Sequence, residues 1–243
     1  MDDLDKSFGY QRVGNDERRA RIRAVFSAVA PRYDLMNDLM SFGIHRLWKG
    51  AMAKRAGEGW RLAVDLAGGT GDVARLLAAP GRRVVVCDPG LEMMNEGRRR
   101  GRGLNNGIEW LAGEAERLPF ADASVDLLTV AFGLRNATSL TAALAEVRRV
   151  LRPGGRFVCL EFSRPLFWLA PFYDLYSFLV IPRLGAAVAR EPAAYQYLVE
   201  SIRRFPDQRG FADMVREAGF GDVRWENVSF GIACLHSGTR ADG

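Results

Sequence analysis

The chain has 243 residues, of which 48% are hydrophobic, which supports one large folded domain and excludes an intrinsically disordered chain. Its net charge of +5 would suit nucleic acid or an anionic surface. An arginine-rich composition explains that charge more simply, because no basic stripe interleaved with aromatic residues is present, and no nucleic-acid partner is predicted.

The N-terminal quarter of the chain carries helical patterns only. Residues 1–20 are polar and are predicted to form a loose tail. Apolar residues at helical spacing begin at Ile22 and stop before Pro31, and a second apolar helical stretch follows from Leu35. These patterns predict an N-terminal helical lid over residues 21–60.

Strand and helix patterns alternate from residue 61 onward. The predicted strands are 61–67, 83–88, 108–112, 125–132 and 156–162. The predicted helices between and after them are 72–79, about 91–100, about 140–151 and 208–218, the third of them ended by Pro153-Gly154-Gly155. This alternation predicts a parallel sheet that is doubly wound, with helices on both faces.

The pattern changes in the last third of the chain. A stretch at about 164–205 contains aromatic residues, prolines and apolar helical segments, and is predicted to be an insert. The apolar runs 222–228 and 231–236 are too close for a crossover helix, so they are expected to form an antiparallel hairpin. The predicted fold is therefore α/β, a doubly wound and mostly parallel seven-stranded sheet over residues 61–243. Such a late hairpin is more typical of class I methyltransferases, which are Rossmann-like, than of dinucleotide dehydrogenases.

A glycine turn follows the first predicted strand. The apolar run around Val64 stops at Gly68, Gly69 and Gly71, a pattern typical of backbone that lies against a nucleoside-bearing ligand. Because Gly69-x-Gly71-x-x-Ala74 also matches the loose dinucleotide pattern, the glycines alone leave the ligand open.

Three acidic residues near strand ends favour S-adenosylmethionine over a dinucleotide. Asp65 could face an ammonium group or a water molecule, Asp88 could accept both ribose hydroxyls, and the pair Glu114-Ala115 could cover an adenine. S-adenosylmethionine has a ribose, an adenine and an amino-acid tail but no phosphate, so acidic loop ends suit it. The alternative is that Asp65 and Asp88 only cap helices or turns.

Further segments carry a resemblance to a known family. They are residues 25–38, 41–49, 65–72, 132–136 (Phe-Gly-Leu-Arg-Asn), 151–155 and 160–165. On these segments the chain resembles the UbiE/MenG-type C-methyltransferases of ubiquinone and menaquinone biosynthesis over about residues 22–238. The first segment and Phe-Gly-Leu-Arg-Asn are the specific ones, whereas the glycine turn and Arg-Pro-Gly-Gly occur across many methyltransferases.

The resemblance implies the cofactor S-adenosyl-L-methionine. The predicted cofactor-binding residues are Asp65, Gly69, Thr70, Gly71, Asp88, Glu114 and Ala115. Two positions depart from the family pattern, since Glu114 is a longer acid than the usual Asp or Asn, and Ala131 replaces a serine. A cofactor contact from that serine hydroxyl is therefore absent or made by backbone.

The resemblance also implies methylation of a ring carbon of a prenylated quinol, which becomes nucleophilic when a neighbouring hydroxyl ionises. Arg135, after the fourth strand, is expected to stabilise the phenolate, because a fixed cation lowers the pKa of a phenol. Asp72 is predicted to accept the proton directly or through water, and Asn136 to orient a quinol oxygen. The alternative for Arg135 is a surface or helix-capping salt bridge.

Two groups of residues are predicted to meet the substrate. Tyr33 and His45 belong to the N-terminal family segments and could form part of a lid, although a lone histidine is more often structural. The aromatic residues of the insert could form a wall for the prenyl tail, or pack as extra core. Such a surface could also lean on the membrane, giving peripheral membrane contact.

The chain contains Cys87, Cys159 and Cys234 without a CxxC pair, which indicates buried thiols in a reducing compartment and no metal site. The acidic start does not resemble a secretory signal, and the longest apolar stretch is interrupted by prolines and charges. A cytoplasmic protein is expected, and a homo-oligomer or a complex with other quinone-biosynthesis proteins is allowed. A methyltransferase for another small aromatic or lipid acceptor, and a non-catalytic nucleoside-binding subunit, are the other functions left open.

Overall fold

The computed structural model describes residues 7–101, 107–180, 183 and 192–241. Its strands in chain order are β1 Ser7–Phe8, β2 Gln11–Arg12, β3 Leu62–Leu66, β4 Arg83–Asp88, β5 Ile108–Ala112, β6 Val125–Ala131, β7 Leu151–Phe162, β8 Phe220–Val228 and β9 Ala233–Arg240. Its helices are α1 Asn15–Val29, α2 Tyr33–Ser41, α3 Ile44–Ala56, α4 Asp72–Leu77, α5 Leu91–Arg100, α6 Leu140–Val150, α7 Ala170–Leu175, α8 Pro192–Arg204 and α9 Gln208–Glu217.

The central sheet has seven strands in the order β5-β4-β3-β6-β7-β9-β8. The pairs from β5 to β7 are parallel, whereas β9 runs antiparallel to both β7 and β8. The strand order reverses between β3 and β6, where the two halves of a doubly wound sheet diverge and where such sheets bind ligands. The predicted fold class, including the late antiparallel hairpin, is confirmed.

Two apolar layers cover the faces of this sheet. On one face, Trp48 and Met52 of α3 pack with Val73 and Leu77 of α4 against the strands. On the other face, side chains of α6 and α9 pack with β6 and β7, and Phe211 is completely buried there. Because both faces are covered, the central strands consist of continuous Val/Leu runs rather than alternating patterns.

The longest strand, β7, corrects one prediction. It begins at Leu151, so α6 ends at Val150 and the Pro153-Gly154-Gly155 segment lies within the strand instead of separating helix from strand. The register shifts between Val125 and Leu127 of β6, and this irregularity takes up the extra residues. Gly154 has a φ of 72°, a conformation that favours glycine.

The N-terminal helix begins earlier than its apolar spacing indicates. Helix α1 starts at Asn15, whereas the hydrophobic pattern begins only at Ile22. Arg18, in the polar part of the helix, is 3% exposed, because its guanidinium donates hydrogen bonds to backbone carbonyls across the molecule, including Ala137 at 2.6 Å. The spacing of apolar residues does not predict a buried arginine whose donors are satisfied in this way.

The insert is helical in its described parts. Helix α7 continues into a π-helical turn at Tyr176–Val180, and α8 follows at Pro192–Arg204, while the predicted residues 181–182 and 184–191 lie outside the described part. Within the described ranges, no helix is long and apolar enough to cross a bilayer.

Acidification should destabilise this fold through its two histidines. Burial lowers the pKa of both His45 and His236 from 6.5 to about 4. Between pH 6.5 and 4 the unfolded chain therefore binds more protons than the folded chain. The free energy of unfolding that is present above pH 6.5 decreases as the pH falls toward 4. For His236 alone we expect a loss of about 2–3 kcal/mol between pH 7 and pH 4.5. Urea unfolding of the wild type and of His236→Gln at both pH values checks this, since equal pH dependence in the two proteins would contradict it.

Candidate functional site

The glycine turn joins β3 to α4 at the centre of the sheet's ligand-binding edge. Gly69 and Gly71 have φ values of 54° and 80°, which favour glycine. A Cβ on Gly71 would lie 2.8 Å from the Trp110 ring, so the space next to the turn also requires glycine. The turn therefore needs these glycines for its own conformation, whichever ligand it meets.

Asp88, the last residue of β4, connects the turn to the start of α5. Its Oδ2 accepts a hydrogen bond from Gly69 N–H at 2.9 Å, and its Oδ1 accepts one from Gly90 N–H at 2.7 Å. Burial raises the pKa of this carboxyl above its ordinary value, and these two donors partly offset that effect. Each carboxylate oxygen keeps a lone pair that could accept a hydrogen bond from a ligand hydroxyl.

A cavity of about 140 Å³ lies beside the glycine turn, and we call it the turn cavity. Residues on its floor and sides include Gly69, Asp88, Met93, Glu114, Ala115, Ala131 and Asn136. Helix α1 covers it with Arg19, Ile22, Arg23 and Phe26. The cavity thus combines acidic acceptors with apolar walls, which fits a nucleoside.

Asp65, Thr70 and Gly71, three other predicted cofactor-binding residues at the turn, have their described hydrogen bonds with the protein itself. Asp65 Oδ1 accepts a hydrogen bond from the Thr129 hydroxyl at 3.0 Å, and Oδ2 accepts one from Ala74 N–H at 3.1 Å. The Thr70 hydroxyl donates to Asp34 at 3.2 Å. Among the described residues these three do not line the turn cavity, so their direct contact with a cofactor stays a prediction.

Gly97 of α5 packs against the carbonyl side of the same turn. A Cβ at Gly97 would lie 2.6 Å from the Thr70 carbonyl oxygen and 2.8 Å from Cζ3 of Trp110. We expect Gly97→Ala to destabilise the protein by about 1–3 kcal/mol, because a backbone carbonyl cannot move aside as a flexible side chain does. Gly50→Ala on α3 is the matched control, since nothing lies within 4 Å of its Cβ. Urea unfolding should separate the two variants, and equal stabilities would contradict the prediction.

A second and larger cavity, of about 340 Å³, lies between the N-terminal helices and the insert, and we call it the aromatic cavity. Its aromatic lining includes Phe26, Tyr33, Phe42, Trp48, Phe132, Phe162, Phe172, Tyr173, Tyr176, Tyr195 and Tyr197. Polar side chains are few, and they include His45, Lys49 and Arg135. An apolar cavity with a small number of polar groups is typical of a site for an aromatic or lipid-like molecule.

Phe26, Tyr33 and Phe132 line both cavities and therefore form the wall between them. Phe132 directly follows β6 and has a φ of 58°, an uncommon conformation for a bulky residue. Strained backbone of this kind is concentrated at binding and catalytic sites. Tyr33, predicted from the sequence, lies at this junction, whereas Phe132 was not singled out.

Arg135 and His45 each place a buried polar atom without a hydrogen-bond partner among the described residues. Nη1 of Arg135 lies 3.3 Å from Oε1 of Glu161 and also donates to the Phe132 carbonyl, but its Nε has no partner there. The Nδ1 of His45 lies 3.2 Å from the Ser41 hydroxyl, and its Nε2 makes no hydrogen bond among the described residues but lies 3.5 Å from Oδ1 of Asp38. Burial lowers the pKa of His45 to about 4, so the ring is neutral at pH 7. Both residues line the aromatic cavity. Arg135 was given a surface or helix-capping salt bridge as its alternative, and it does form a salt bridge, with the buried Glu161, so its role toward a substrate stays a prediction.

Asp72, the first residue of α4, is held by two cations. Its carboxylate lies 2.9 Å from the Lys49 ammonium and 2.7 Å from the Arg75 guanidinium. Burial alone would raise the pKa of Asp72, but these cations lower it below the ordinary value. The predicted role of Asp72 as proton acceptor stays a prediction, and a lowered pKa weakens it because such a carboxylate is a poor base.

Asn136 connects the two cavities. It lines the turn cavity, and its side-chain carbonyl accepts a hydrogen bond at 3.0 Å from the hydroxyl of Tyr197, which lines the aromatic cavity. Arg18 of α1 donates to the backbone carbonyls of the same turn, which fixes the segment that carries Arg135. Sequence reasoning missed Arg18 and Tyr197, because nothing local marks contacts between such distant segments.

Comparisons with known proteins identify related sequences and a related fold. The model of the ubiE/COQ5 methyltransferase family matches residues 13–240. The chain is 64% identical to the ubiquinone/menaquinone biosynthesis C-methyltransferase UbiE of Rubrivivax gelatinosus, over 98% of this chain and 94% of that protein. It is 54% identical to the protein of the same description from Paracoccus denitrificans, over 95% of each chain. In fold it is similar to an S-adenosylmethionine-dependent methyltransferase of Thermotoga maritima, with a TM-score of 0.66 and 21% identity over 89% of this chain and 98% of that one.

Proposed function

The chain belongs to the ubiE/COQ5 methyltransferase family, and from that premise we propose that it methylates a ring carbon of a prenylated quinol. The methyl donor is S-adenosyl-L-methionine. The proposed reactions convert demethylmenaquinol to menaquinol and 2-polyprenyl-6-methoxy-1,4-benzoquinol to its methylated product, which matches the two quinones in the relatives' names.

The observation that carries this proposal is the pair of cavities that share one wall. The turn cavity contains the acidic residues expected for a nucleoside, and the aromatic cavity contains the apolar lining expected for a prenylated ring. Their common residues, Phe26, Tyr33 and Phe132, lie where a donor and an acceptor would meet. Methyl transfer requires contact between the donor methyl group and the ring carbon, so the two cavities must open onto each other beside these residues.

The residues of the turn cavity fit S-adenosylmethionine. Asp88 has a lone pair on each oxygen for the ribose hydroxyls, and Glu114 and Ala115, which line the same cavity, are the proposed contacts of the base. Ala131 lines this cavity without a hydroxyl, so the departure from the family pattern leaves an apolar contact at that point. The bound cofactor supplies the electrophilic methyl group, and the protein supplies position and exclusion of water.

The residues of the aromatic cavity suit a quinol that must lose a hydroxyl proton. Arg135 lines this cavity and is the proposed hydrogen-bond donor to an oxygen of the ring, and Asn136, which lines the neighbouring turn cavity, follows it in the chain. Since the ionised oxygen raises electron density on the neighbouring ring carbon, a hydrogen bond to that oxygen favours the reactive form. His45, neutral at pH 7 and part of the lining of the same cavity, is the proposed contact of another polar group of the ring.

A direct assay tests the proposed reaction. The purified protein is incubated with methyl-labelled S-adenosylmethionine and chemically reduced demethylmenaquinone or the demethylated benzoquinone, each with a short prenyl tail. We expect label in the quinol fraction with at least one of them. Absence of label with both, in a protein that binds the cofactor by calorimetry, would contradict the proposal. The quinones that accumulate after gene deletion then show which ring is used in the cell.

Peripheral membrane contact forms part of the same proposal. Phe42 and Phe172 line the aromatic cavity and are also 79% and 70% exposed, so the mouth of the cavity is an apolar surface. Phe167, which is 88% exposed, extends the apolar character of the insert segment. Exposed aromatic residues at the mouth of a cavity for a lipid-like molecule are suited to a bilayer surface.

Flotation with liposomes checks this contact. We expect the wild type to float at low salt and Phe42→Ser/Phe172→Ser to float several-fold less, because two large apolar side chains are removed from the contact. Leu76→Ser is a matched control, since Leu76 is 52% exposed on α4 and does not line either cavity. A wild type that fails to float with and without quinone would contradict the membrane contact and leave the methylation assay unaffected.

A further inference from the structure

Lys49 is a buried cation on the wall of the aromatic cavity. It lies on α3 one helical turn after His45, and only 8% of it is exposed. Its Nζ lies 2.9 Å from Oδ2 of Asp72, a bond that uses one of the three donors of the ammonium group. Burying an ammonium group beside an apolar cavity costs free energy of desolvation unless anionic groups face it. A functional role would explain why a cation lies at this position.

The two cations that line this cavity differ in how far their charge is balanced. Arg135 has one carboxyl partner, the buried Glu161 at 3.3 Å, so cation and acid are matched one to one there. Lys49 shares Asp72 with Arg75, so this set has two positive charges and one negative charge. The net positive charge next to the cavity therefore lies on the Lys49 side.

Below about pH 7, the other titratable groups around Lys49 in the described part of the chain do not cancel this charge. On α3 itself, His45 is neutral at pH 7, since burial lowers its pKa to about 4. On α2, Asp38 is paired with Arg46 at 2.7 Å. On β3, burial raises the pKa of Asp65 to about 7, so this acid is uncharged below that pH.

We propose that Lys49 is a further catalytic group, whose ammonium binds the ionised oxygen of the quinol while Asp72 orients it. The inference rests on the proposed function, because it names the cation that acts on that substrate. The proton leaves the hydroxyl for solvent, the electron pair stays on the oxygen, and the ammonium balances the new negative charge. Arg135 then serves as a hydrogen-bond donor, and Asp72 as the partner of Lys49 rather than as the base.

A bound phenol that reports its own ionisation tests this assignment without turnover. The probe is 2-naphthol, whose absorption spectrum shifts to longer wavelength on loss of the hydroxyl proton in the ground state. A cation within hydrogen-bond reach should lower the pKa of the bound naphthol by about 1–3 units relative to the free probe. Lys49→Met should abolish most of that shift, whereas Lys49→Arg should retain part of it. Lys54→Met, an exposed lysine on the same helix, is the control and should behave as wild type.

Asp72→Asn gives a prediction of opposite sign. Removing the carboxylate leaves Lys49 and Arg75 unbalanced, so the bound phenol should ionise at a still lower pH than in the wild type. In the methylation assay, the acidic limb of the kcat profile should move down in pH for Asp72→Asn and up for Lys49→Met. A general base at this position would instead give an Asp72→Asn enzyme with almost no turnover. Asp65 does not cancel in the kcat comparison, because Lys49 lowers its pKa and Asp72 raises it, so the ionisation of the bound naphthol itself is the deciding readout.

Two results would overturn the assignment. One is a Lys49→Met protein that folds and lowers the pKa of bound naphthol as much as the wild type does. The other is a loss of turnover in Asp72→Asn with no change in the ionisation of bound naphthol.

We expect kcat/KM of Lys49→Met to fall about 10- to 100-fold, the size of one hydrogen bond to a charged group, with cofactor affinity unchanged. If the wild type binds naphthol with the expected shift but labels neither quinol, the proposed function fails and the role of Lys49 as a phenolate-binding cation stands.

Discussion

Replacing Asp88 with alanine should weaken the binding of S-adenosylmethionine by about 10²- to 10⁴-fold. Without the carboxylate, the cofactor loses two hydrogen bonds from its ribose hydroxyls, each worth about 1.5–3 kcal/mol when one partner is charged. The backbone N–H groups of Gly69 and Gly90 also lose their acceptor, to which they donate at 2.9 and 2.7 Å in the wild type. The glycine turn and the start of α5 would then be free to move relative to each other.

Isothermal titration calorimetry measures this effect, and Asp88→Asn provides the comparison. An asparagine keeps one side-chain acceptor but puts an NH₂ group at the other position, where it would face a backbone donor. We therefore expect Asp88→Asn to lie between alanine and the wild type in affinity. A dissociation constant for Asp88→Ala within threefold of the wild type would remove Asp88 from the cofactor site.

Replacing Arg135 with methionine should lower the turnover of quinol by about 10²- to 10³-fold, the usual cost of losing a donor to a developing charge. The change also leaves Glu161 unpaired in a fully buried position. Breaking a buried pair in this way costs about 3–5 kcal/mol of stability, so the single variant confounds chemistry with folding. Burial raises the pKa of Glu161, and without Arg135 this carboxyl would take up a proton at higher pH still.

The double variant Arg135→Met/Glu161→Gln separates the two effects, because it removes both charges together. It should recover most of the stability of the wild type in urea unfolding while its turnover stays low. Arg135→Lys should be stable but slow, since a lysine has no Nε–H at the position of the unpartnered donor. Turnover of the double variant at the wild-type rate would show that Arg135 acts only as the partner of Glu161.

Most of the sheet followed from local patterns in the chain. The predicted strands 83–88 and 108–112 and the helix 91–100 have the bounds that the structure shows, because each is a complete apolar or amphipathic run between turn residues. The start of β7 was mispredicted, because Pro153 and Gly154 usually end an element but here lie within an irregular strand. Helix α1 extended past its apolar pattern because a distant set of carbonyls satisfies Arg18.

Part of the candidate site could also be predicted from local patterns, because several of its residues are at strand ends or in the turns that follow them. Gly69, Asp88 and Arg135 each lie at the end of a parallel strand, and such ends meet at one edge of the sheet wherever the chain folds this way. Asp65 lies at that edge too, but its side chain turns to Thr129 and Ala74. Which way an acid at a strand end points depends on the donors that its neighbours offer.

The sequence by itself therefore determined the fold class, the strand ends and the glycine turn, because periodicity and glycine positions are properties of a few consecutive residues. The tertiary structure decided which charges pair, where the two cavities lie and which residues separate them. Lys49 meets Asp72 across 23 positions and Arg18 meets Asn136 across 118. Contacts at such separations depend on how α1, α3 and the insert pack on the sheet. The spacing of residues within a short segment does not determine that packing.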